Sequence, residues 1–374
     1  MNAIYLGSRI LNYKLARYNI LPPAKPMTIT FSVTNRCNSR CSTCYIWQNQ
    51  VTDELSLQEI EKIFKGMGKV FYFNISGGEP FLRKDLPEIV LMACKYLKPS
   101  VIHTPTNAIA SDIVIRTTEE ILRRMKQRGY SHIQFTIKPS FDGIEKKHDA
   151  IRGMPGNFKL LMKTISGLKK LKKEYPFLHV GIGTVISKFN VKEIPEIAEY
   201  AKKLNMDSYI HEIAENRSEL FNTDKNITPN IEEYTTAVNY FINEVKSDFK
   251  NKRKLSKVVY AFRIVYYRLV IRIMKEKRQV IPCYAGLSNI HITPDGKVWP
   301  CCIQGYKMPM GNLREMDYSI DKILASKRAK EVRKYIRKKN CYCPLANQAY
   351  SNLICDTTSI FKIAKEYIVM TFFH

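Results

Sequence analysis

Acidic residues are scarce in this 374-residue chain: 34 Asp and Glu stand against 60 Lys and Arg, which gives a formal net charge of +26. Glycine (16) and proline (17) are too few for a low-complexity or collagen-like protein, and 45% hydrophobic residues exclude a disordered one. No uncharged apolar run approaches the roughly 18 to 20 residues that a membrane-spanning helix needs. The chain is therefore expected to be globular, and its positive charge favours a polyanion, an anionic membrane surface or an acidic small molecule as partner.

The chain also lacks the marks of a secreted protein. Its first 21 residues carry Arg9, Lys14 and Arg17 among the apolar positions, where a signal peptide would have a charged start and a clean apolar stretch. Ten cysteines in a chain of this length do not resemble a secreted disulfide scaffold. We therefore predict a cytoplasmic protein whose thiolates bind metal.

Secondary-structure patterning is regular over residues 28–215. Six short stretches rich in β-branched and aromatic residues are predicted strands: 28–33, 70–75, 101–104, 132–137, 179–186 and 208–213. Longer stretches with helical apolar spacing lie between them: 56–67, 86–97, 117–128, 158–175 and 191–204. Strands that alternate with helices predict parallel βαβ units with right-handed crossovers, and hence an α/β fold.

The pattern changes after that region. Residues 246–278 carry twelve Lys and Arg against two acidic residues, and six of the ten cysteines lie from Cys283 onward. We therefore predict four parts: an amphipathic basic segment over 1–27, an α/β unit over 28–215, a basic helical linker over 216–281, and a small α+β unit with a tail over 282–374.

Three cysteines follow the first predicted strand closely, with the spacing C-x3-C-x2-C at Cys37, Cys41 and Cys44. Three thiolates on one short loop can hold three corners of a [4Fe–4S] cluster, which leaves the fourth iron open to a small chelating molecule. Zinc is the alternative, but a structural zinc site needs four protein ligands, and this loop offers three with no nearby histidine. The motif therefore favours the iron–sulfur cluster.

The second predicted strand ends in Ser76-Gly77-Gly78-Glu79-Pro80. Paired glycines let a ligand approach the backbone closely, and the carboxylate lies at the strand end where parallel α/β sheets bind ligands. Alone, this sequence is equally typical of a plain strand-to-helix turn.

The two motifs together resemble those of radical S-adenosylmethionine (SAM) enzymes, and the likeness covers the whole α/β unit. It implies a partial (β/α)6 TIM-like barrel with a [4Fe–4S] cluster whose open iron is chelated by the amino and carboxylate groups of SAM. It implies that the reduced cluster cleaves SAM to methionine and a 5′-deoxyadenosyl radical, which abstracts hydrogen from an unactivated C–H bond. By this resemblance Gly77, Gly78 and Glu79 bind the methionine amino group, Pro80 holds the turn, and ferredoxin or flavodoxin supplies the electron. Thr43 departs from the pattern, since many members have an aromatic residue there.

Weaker candidates follow the ends of later strands. Asn107 follows the third strand, where similar enzymes often have Thr-Asn-Gly, and Ser140 and Asp142 match the Ser-x-Asp-Gly of peptide- and sulfatase-maturating members. By that likeness Asn107 and Ser140 lie near SAM, and Asp142 is a candidate catalytic residue, with a plain Asp-Gly turn as the alternative. His211 and Glu212, near the end of the sixth strand, are further catalytic candidates; a core histidine and an exposed carboxylate are the alternatives.

The C-terminal cysteines form a second group: Cys283, Cys301, Cys302, Cys341, Cys343 and Cys355. The sequence Pro294-Asp-Gly-Lys-Val-Trp-Pro directly precedes Cys301 and Cys302. This arrangement of cysteines resembles the auxiliary-cluster domain called SPASM, or its shorter form, twitch. The resemblance implies at least one extra [4Fe–4S] cluster, with zinc as the alternative metal.

One position departs from the fuller SPASM pattern. Related frames often read C-x-C-x3-C, and Asn347 stands where the last of these cysteines would be, so either Cys355 replaces it in space or the cluster has an open site. The predicted ligands are Cys283, Cys301, Cys343 and Cys355, with Cys341 as the main alternative. Cys302 is predicted to be a buried thiol, because on a strand it would point opposite to its neighbour.

Three amphipathic stretches suit an anionic bilayer surface on a chain of this positive charge: the 1–27 segment, 255–274 and 367–374. The alternative is that they cap the barrel, link the domains and dock on the core. Together with the net charge they predict a peripheral enzyme of the inner membrane face that acts on a membrane-surface lipid or lipid-linked sugar. A SPASM-type peptide- or protein-modifying enzyme is the alternative. A zinc-stabilised nucleic-acid-binding protein is a distant one, because no nucleic-acid signature accompanies the basic stretches, so no nucleic acid partner is expected.

Overall fold

A computed structural model of the chain describes residues 3–49, 53–247, 249 and 254–372. The centre of the molecule is a nine-stranded sheet in the order β6-β5-β4-β3-β2-β1-β7-β8-β9. Its strands are β1 (Thr28–Thr34), β2 (Tyr72–Gly77), β3 (Val101–Thr106), β4 (Gln134–Pro139), β5 (Leu178–Ile186), β6 (Ser208–Ile213), β7 (Asn289–Ile292), β8 (Lys297–Trp299) and β9 (Gly311–Asn312). Neighbours from β1 to β6 pair in parallel, and β6 and β9 form the two edges. The predicted α/β partial barrel is thereby confirmed.

Helices connect the parallel strands and build the C-terminal part. They are α1 (Ala3–Ala16), α2 (Leu57–Met67), α3 (Leu86–Met92), α4 (Ser111–Gln127), α5 (Glu145–Arg152), α6 (Asn157–Glu174), α7 (Ile194–Lys203), α8 (Ile231–Ser247), α9 (Lys254–Glu276), α10 (Ile320–Ala325), α11 (Lys327–Arg337), α12 (Ala346–Cys355) and α13 (Thr357–Phe372). A capping box starts α2, since the backbone N of Ser56 donates to the Glu59 carboxylate at 2.8 Å and the hydroxyl of Ser56 accepts from the backbone N of Glu59. None of these described helices is both long and apolar enough to cross a membrane.

The barrel strands present different faces to the helices and to the interior. Buried apolar side chains of the strands pack in one cluster with those of the helices: Ile29, Phe31, Phe64, Phe73, Ile89, Phe135 and Ile137. On the opposite face the strand register aligns Thr30, Asn74, His103, Thr136 and His179 in one row across five strands. The Nδ1 atom of His103 lies 2.6 Å from Oδ1 of Asn74. The interior of the barrel is therefore polar, as a binding or catalytic chamber requires.

The C-terminal part is joined to the barrel through the sheet itself. Strand β7 pairs in parallel with β1, which places His291 beside Thr30, and β8 and β9 continue the sheet antiparallel. Helices α8 and α9 belong to the predicted linker and pack over β6. Residues 248 and 250–253 of that linker lie outside the described residues, as do the first two residues of the predicted N-terminal segment and the last two of the tail.

Candidate active site

The cysteine loop begins where β1 ends and is held by the end of β2. The backbone N of Gly78 donates to the carbonyl of Thr34 at 2.8 Å, and that of Glu79 donates to the carbonyl of Arg36 at 2.9 Å. A Cβ atom at Gly77 would lie 2.1 Å from the Thr34 oxygen, and one at Gly78 would lie 2.3 Å from the Arg36 oxygen. From the sequence, Gly77 and Gly78 were expected to let a ligand approach the backbone. In the structure, the absence of side chains at these two positions lets the cysteine loop pack directly on the end of β2.

A second backbone contact holds the loop from the side of α5. The backbone N of Arg40 donates to the carbonyl of Arg152 at 3.2 Å, and that of Ser42 donates to the carbonyl of Ile151 at 2.8 Å. Gly153 ends this helix with a φ of 64°, and a Cβ there would lie 2.1 Å from the Arg40 oxygen. The three cysteines are therefore fixed between β2 and the end of α5.

Arg152 supplies positive charge to this loop. Its guanidinium lies close enough to Cys37 and Cys41 to interact electrostatically, and its Nη1 donates to the Asp142 carboxylate at 3.0 Å. The other oxygen of that carboxylate accepts from the backbone N of Val185 at 2.8 Å. Asp142, a candidate catalytic residue from the sequence, is thus placed where both oxygens hold neighbouring groups and orient Arg152.

Burial makes the thiols of Cys37 and Cys44 weaker acids. Burial is the main reason that the pKa of Cys44 rises to about 12 and that the pKa of Cys37 also rises. A cationic group is needed to favour the thiolates, and an iron–sulfur cluster supplies it when bound. The residues fit such a cluster, because three thiols share one fixed loop beside a buried guanidinium whose Nε has no hydrogen-bond partner in the described part of the chain.

The predicted SAM-binding residues Glu79 and Asn107 lie in contact with each other. The buried Glu79 carboxylate accepts from the backbone N of Asn107 at 2.7 Å, and Asn107 Nδ2 lies 3.8 Å from the sulfur of Cys37. Burial raises the pKa of Glu79 to about 7, against the opposing backbone hydrogen bonds. Pro80 begins a short 3-10 turn, and Ser140 extends β4 through a hydrogen bond from its backbone N to the carbonyl of Thr106.

His211 and Glu212 are neighbours on β6 and face opposite ways. The ring of His211 stacks on Phe241 of α8, and its Nδ1 lies 2.8 Å from the Tyr267 hydroxyl of α9. Glu212 lies 3.6 Å from the ammonium of Lys138 on β4. The structure therefore places Glu212 toward the polar interior and His211 in the helix layer.

Four of the C-terminal cysteines line one mainly apolar cavity: Cys283, Cys301, Cys341 and Cys343. Burial raises the pKa values of Cys301 and Cys341 to about 12. Cys355 is fully buried in a different cluster, with Tyr13 and Tyr284. The donor set fits an iron–sulfur cluster, which takes four thiolates, and the structure places Cys341 at the cavity where the sequence interpretation favoured Cys355.

Sequence reasoning missed a buried group at the mouth of the barrel. The ring of His291 has its Nδ1 atom 3.0 Å from the sulfur of Cys302 and 3.8 Å from a carboxylate oxygen of Glu219. Cys302 is buried, as predicted. His291 lies only 11 positions before Cys302, but Glu219 comes from a distant part of the sequence. A histidine within a short apolar strand is the one signal that could have indicated this site.

Two models of known protein families match two separate parts of the chain. The model described as the radical SAM superfamily matches residues 31–201, and the model of the SPASM iron–sulfur cluster-binding domain matches residues 283–344. This chain carries a radical SAM domain followed by a SPASM domain. The first domain implies a [4Fe–4S] cluster that binds SAM, and the second implies an auxiliary iron–sulfur cluster. The resemblance found in the sequence is thereby confirmed.

Individual relatives of this chain are named for different products. It is 24% identical over 322 residues to AlbA, the antilisterial bacteriocin subtilosin biosynthesis protein of Bacillus subtilis (strain 168); the match covers 84% of this chain and 63% of AlbA. It is 26% identical over 310 residues to the AdoMet-dependent heme synthase of Methanosarcina barkeri, with 78% and 81% covered. The chain thus spans less than two thirds of AlbA.

Streptococcus suis SuiB bound to precursor peptide SuiA shares the fold, with a TM-score of 0.59 at 16% identity, over 86% of this chain and 69% of SuiB.

Proposed function

We propose that this radical SAM enzyme modifies a peptide or protein, by abstracting a hydrogen atom from an unactivated C–H bond of one of its residues. AlbA is named for bacteriocin biosynthesis, and its match extends well beyond the radical SAM domain of this chain. SuiB, which shares the fold, is named with a precursor peptide. These relatives support a peptide better than the lipid or lipid-linked sugar that the sequence analysis favoured.

The observation that carries the proposal is a cavity at the carboxyl end of β1. Its volume is about 200 Å³, and polar side chains line it from the loop after β1, from the β7–β8 hairpin and from the segment after β8, among them Asn35, Asn49, Asp295 and Tyr306. Pockets for whole small molecules usually measure about 300 to 1,000 Å³. A cavity of this size suits one side chain of an extended peptide, and its polar lining groups could bind the peptide backbone.

The cysteine loop is the proposed SAM-binding cluster site, with Cys37, Cys41 and Cys44 as ligands. When bound, the reduced cluster and SAM supply the 5′-deoxyadenosyl radical that takes the hydrogen atom. The chain itself keeps the three thiols in one geometry through the backbone contacts at Gly78 and Gly153, and it places the Arg152 charge beside them. For the substrate, Glu212 is our proposed interior acid–base group, because it faces the polar chamber.

Cys283, Cys301, Cys341 and Cys343 are the proposed ligands of the auxiliary cluster. They lie on three segments of the SPASM domain and meet at one cavity, which is the arrangement that a four-thiolate cluster needs. The electron donor that we propose is an acidic protein such as ferredoxin or flavodoxin, because the +26 charge of the chain attracts such a partner.

We also propose peripheral attachment to an anionic membrane face, carried by exposed apolar side chains on the first and last helices. Leu11 of α1 is 58% exposed, and Phe361 and Phe372 of α13 are 71% and 75% exposed. The ammonium of Lys14 donates to the Thr357 hydroxyl at 2.7 Å, so the end of α1 lies beside the start of α13. Apolar side chains flanked by basic ones favour the bilayer interface. A peptide substrate and a membrane location are compatible.

The test follows the abstracted hydrogen atom. The anaerobically reconstituted enzyme is reduced in the presence of SAM and mixed either with a fully deuterated peptide fraction or with a deuterated lipid fraction from the same cells. Mass spectrometry then measures deuterium in 5′-deoxyadenosine. We expect label from the peptide fraction alone, and none with the Cys41→Ala variant. Label from the lipid fraction alone would replace the peptide proposal with the lipid one.

A further inference from the structure

We propose that Glu219, His291 and Cys302 bind a divalent cation, with zinc as the best match, at the mouth of the barrel. This site is separate from the cysteines proposed for the two iron–sulfur clusters. It does not depend on the peptide being the substrate. Carboxylate oxygen, imidazole nitrogen and thiolate sulfur are the three donors that zinc prefers.

The distances fit tetrahedral coordination. The three donor atoms all lie within 4.8 Å of one another, with His291 Nδ1 at 3.0 Å from the Cys302 sulfur and 3.8 Å from the Glu219 oxygen. Zinc bonds of about 2.0 Å to nitrogen or oxygen and 2.3 Å to sulfur place ligand atoms about 3.3 to 3.5 Å apart. Small side-chain adjustments therefore suffice to enclose the ion.

The fold presents the three donors to one point. Glu219 lies in the 3-10 turn Ser218–Leu220 that follows β6, His291 lies on β7, and Cys302 follows β8. The hydroxyl of Ser32 on β1 lies 2.7 Å from the other ring nitrogen of His291. This contact fixes the ring with Nδ1 toward Glu219 and Cys302, in the way that outer hydrogen bonds orient metal-binding histidines.

The charges around Glu219, His291 and Cys302 favour the binding of a cation. The second carboxylate oxygen of Glu219 is buried and has no hydrogen-bond partner among the described residues. The Arg217 guanidinium interacts electrostatically with Glu219 and Cys302, but it also forms an ion pair with Glu215, at 3.4 Å, so its single charge is shared among these groups. A buried carboxylate beside a thiol needs a positive partner, and a divalent ion bound to both would balance the two negative ligands.

The site also has an open side. Glu219 and Ser32 line the cavity of about 200 Å³ described above. Three protein ligands with a free fourth position are typical of zinc sites that bind water or a substrate oxygen. A cation here would polarise a carbonyl group of whatever occupies the cavity.

The experiment measures zinc in the fully reconstituted enzyme. After anaerobic cluster reconstitution the protein is incubated with one equivalent of zinc chloride and desalted, and zinc and iron are measured by mass spectrometry. We expect about one zinc per chain in the wild type and at least a tenfold loss in Cys302→Ser and Glu219→Gln, since each removes a ligand. Cys94→Ser is the matched control, because Cys94 is also buried and lies in the helical core. It should keep its zinc, and an unchanged iron content shows that each variant has folded.

X-ray absorption at the zinc edge identifies the ligands. We expect one sulfur at about 2.3 Å and two or three nitrogen or oxygen atoms at about 2.0 to 2.1 Å. Three or four sulfur neighbours would place the zinc in the cluster cysteines and overturn the proposal. Zinc that does not survive desalting, or that survives in Glu219→Gln with iron unchanged, would overturn it as well. If Cys302→Ser loses iron and zinc together, the test rests on the zinc content of Glu219→Gln at unchanged iron content.

Discussion

Gly78→Ala tests whether the paired glycines exist to seat the cysteine loop. A Cβ at this position meets backbone atoms only: the Arg36 oxygen at 2.3 Å, with the Arg36 carbon and the Asn35 oxygen at 2.7 Å. Ordinary contact begins at 3.4 Å, so the loop must retreat by about 1 Å. We expect a loss of about 1 to 3 kcal/mol in stability from overpacking, and a fall of about 100-fold in SAM cleavage, the usual effect of a misplacement of this size.

The matched control is Gly66→Ala. Gly66 lies inside α2, and the nearest atom to its added Cβ is the backbone oxygen of Tyr318 at 3.9 Å, so the change should stabilise the helix by about 0.5 to 1 kcal/mol. Iron content, urea unfolding and 5′-deoxyadenosine formation are measured on both variants. Gly78→Ala should lose the SAM-binding cluster and keep the auxiliary one. Wild-type iron content and activity in Gly78→Ala would refute the reasoning.

Three further predictions address charge, pH and metal. Asp142→Asn removes the charge partner of Arg152 and should lower the free energy of unfolding, measured in urea, by about 3 kcal/mol. The control is Lys163→Gln, at an exposed ion pair, which should change that free energy by less than about 0.5 kcal/mol. Equal effects of the two substitutions would contradict the argument. Burial raises the pKa of Glu215 to about 7, so its contribution to stability is complete below the ordinary pKa of 4.5 and is lost as the pH rises through 7. Glu215→Gln should therefore weaken the decline in urea stability between about pH 5 and pH 8, and an unchanged decline would count against it. Iron analysis should give about four atoms per chain in Cys341→Ser and about eight in Cys355→Ser, and the reverse pattern would restore Cys355 as a ligand.

The barrel could be predicted from the sequence because its local signals agree with its topology. The sixth strand was expected at 208–213 and is Ser208–Ile213, and the helix expected at 56–67 is Leu57–Met67 with its capping box. Strands rich in β-branched residues and helices with a regular apolar spacing can be recognised from their own sequence alone. The loop of Cys37, Cys41 and Cys44 could likewise be predicted, because its three cysteines lie within a stretch of eight residues.

The remaining features depend on contacts between distant segments. Alternation along β6 shows that His211 and Glu212 face opposite ways, but which face is covered depends on how α8 and α9 pack. The choice between Cys341 and Cys355 depends on the path of α12, which carries Cys355 away from the cavity. Sequence spacing holds no information on either contact.

The pairing of β1 with β7 has a consequence for the synthesis of the protein. Ser32 and His291 contact each other across this pair although they are 259 positions apart in the chain. Until residues 289–292 have been synthesised, β1 has β2 on one side and an unpaired edge on the other, and such edges invite aggregation. Long-range pairing of this kind is slow to form. The strand that leads into the cysteine loop therefore gains its second neighbour only after more than 250 further residues have been synthesised, although the loop itself packs on the earlier elements β2 and α5.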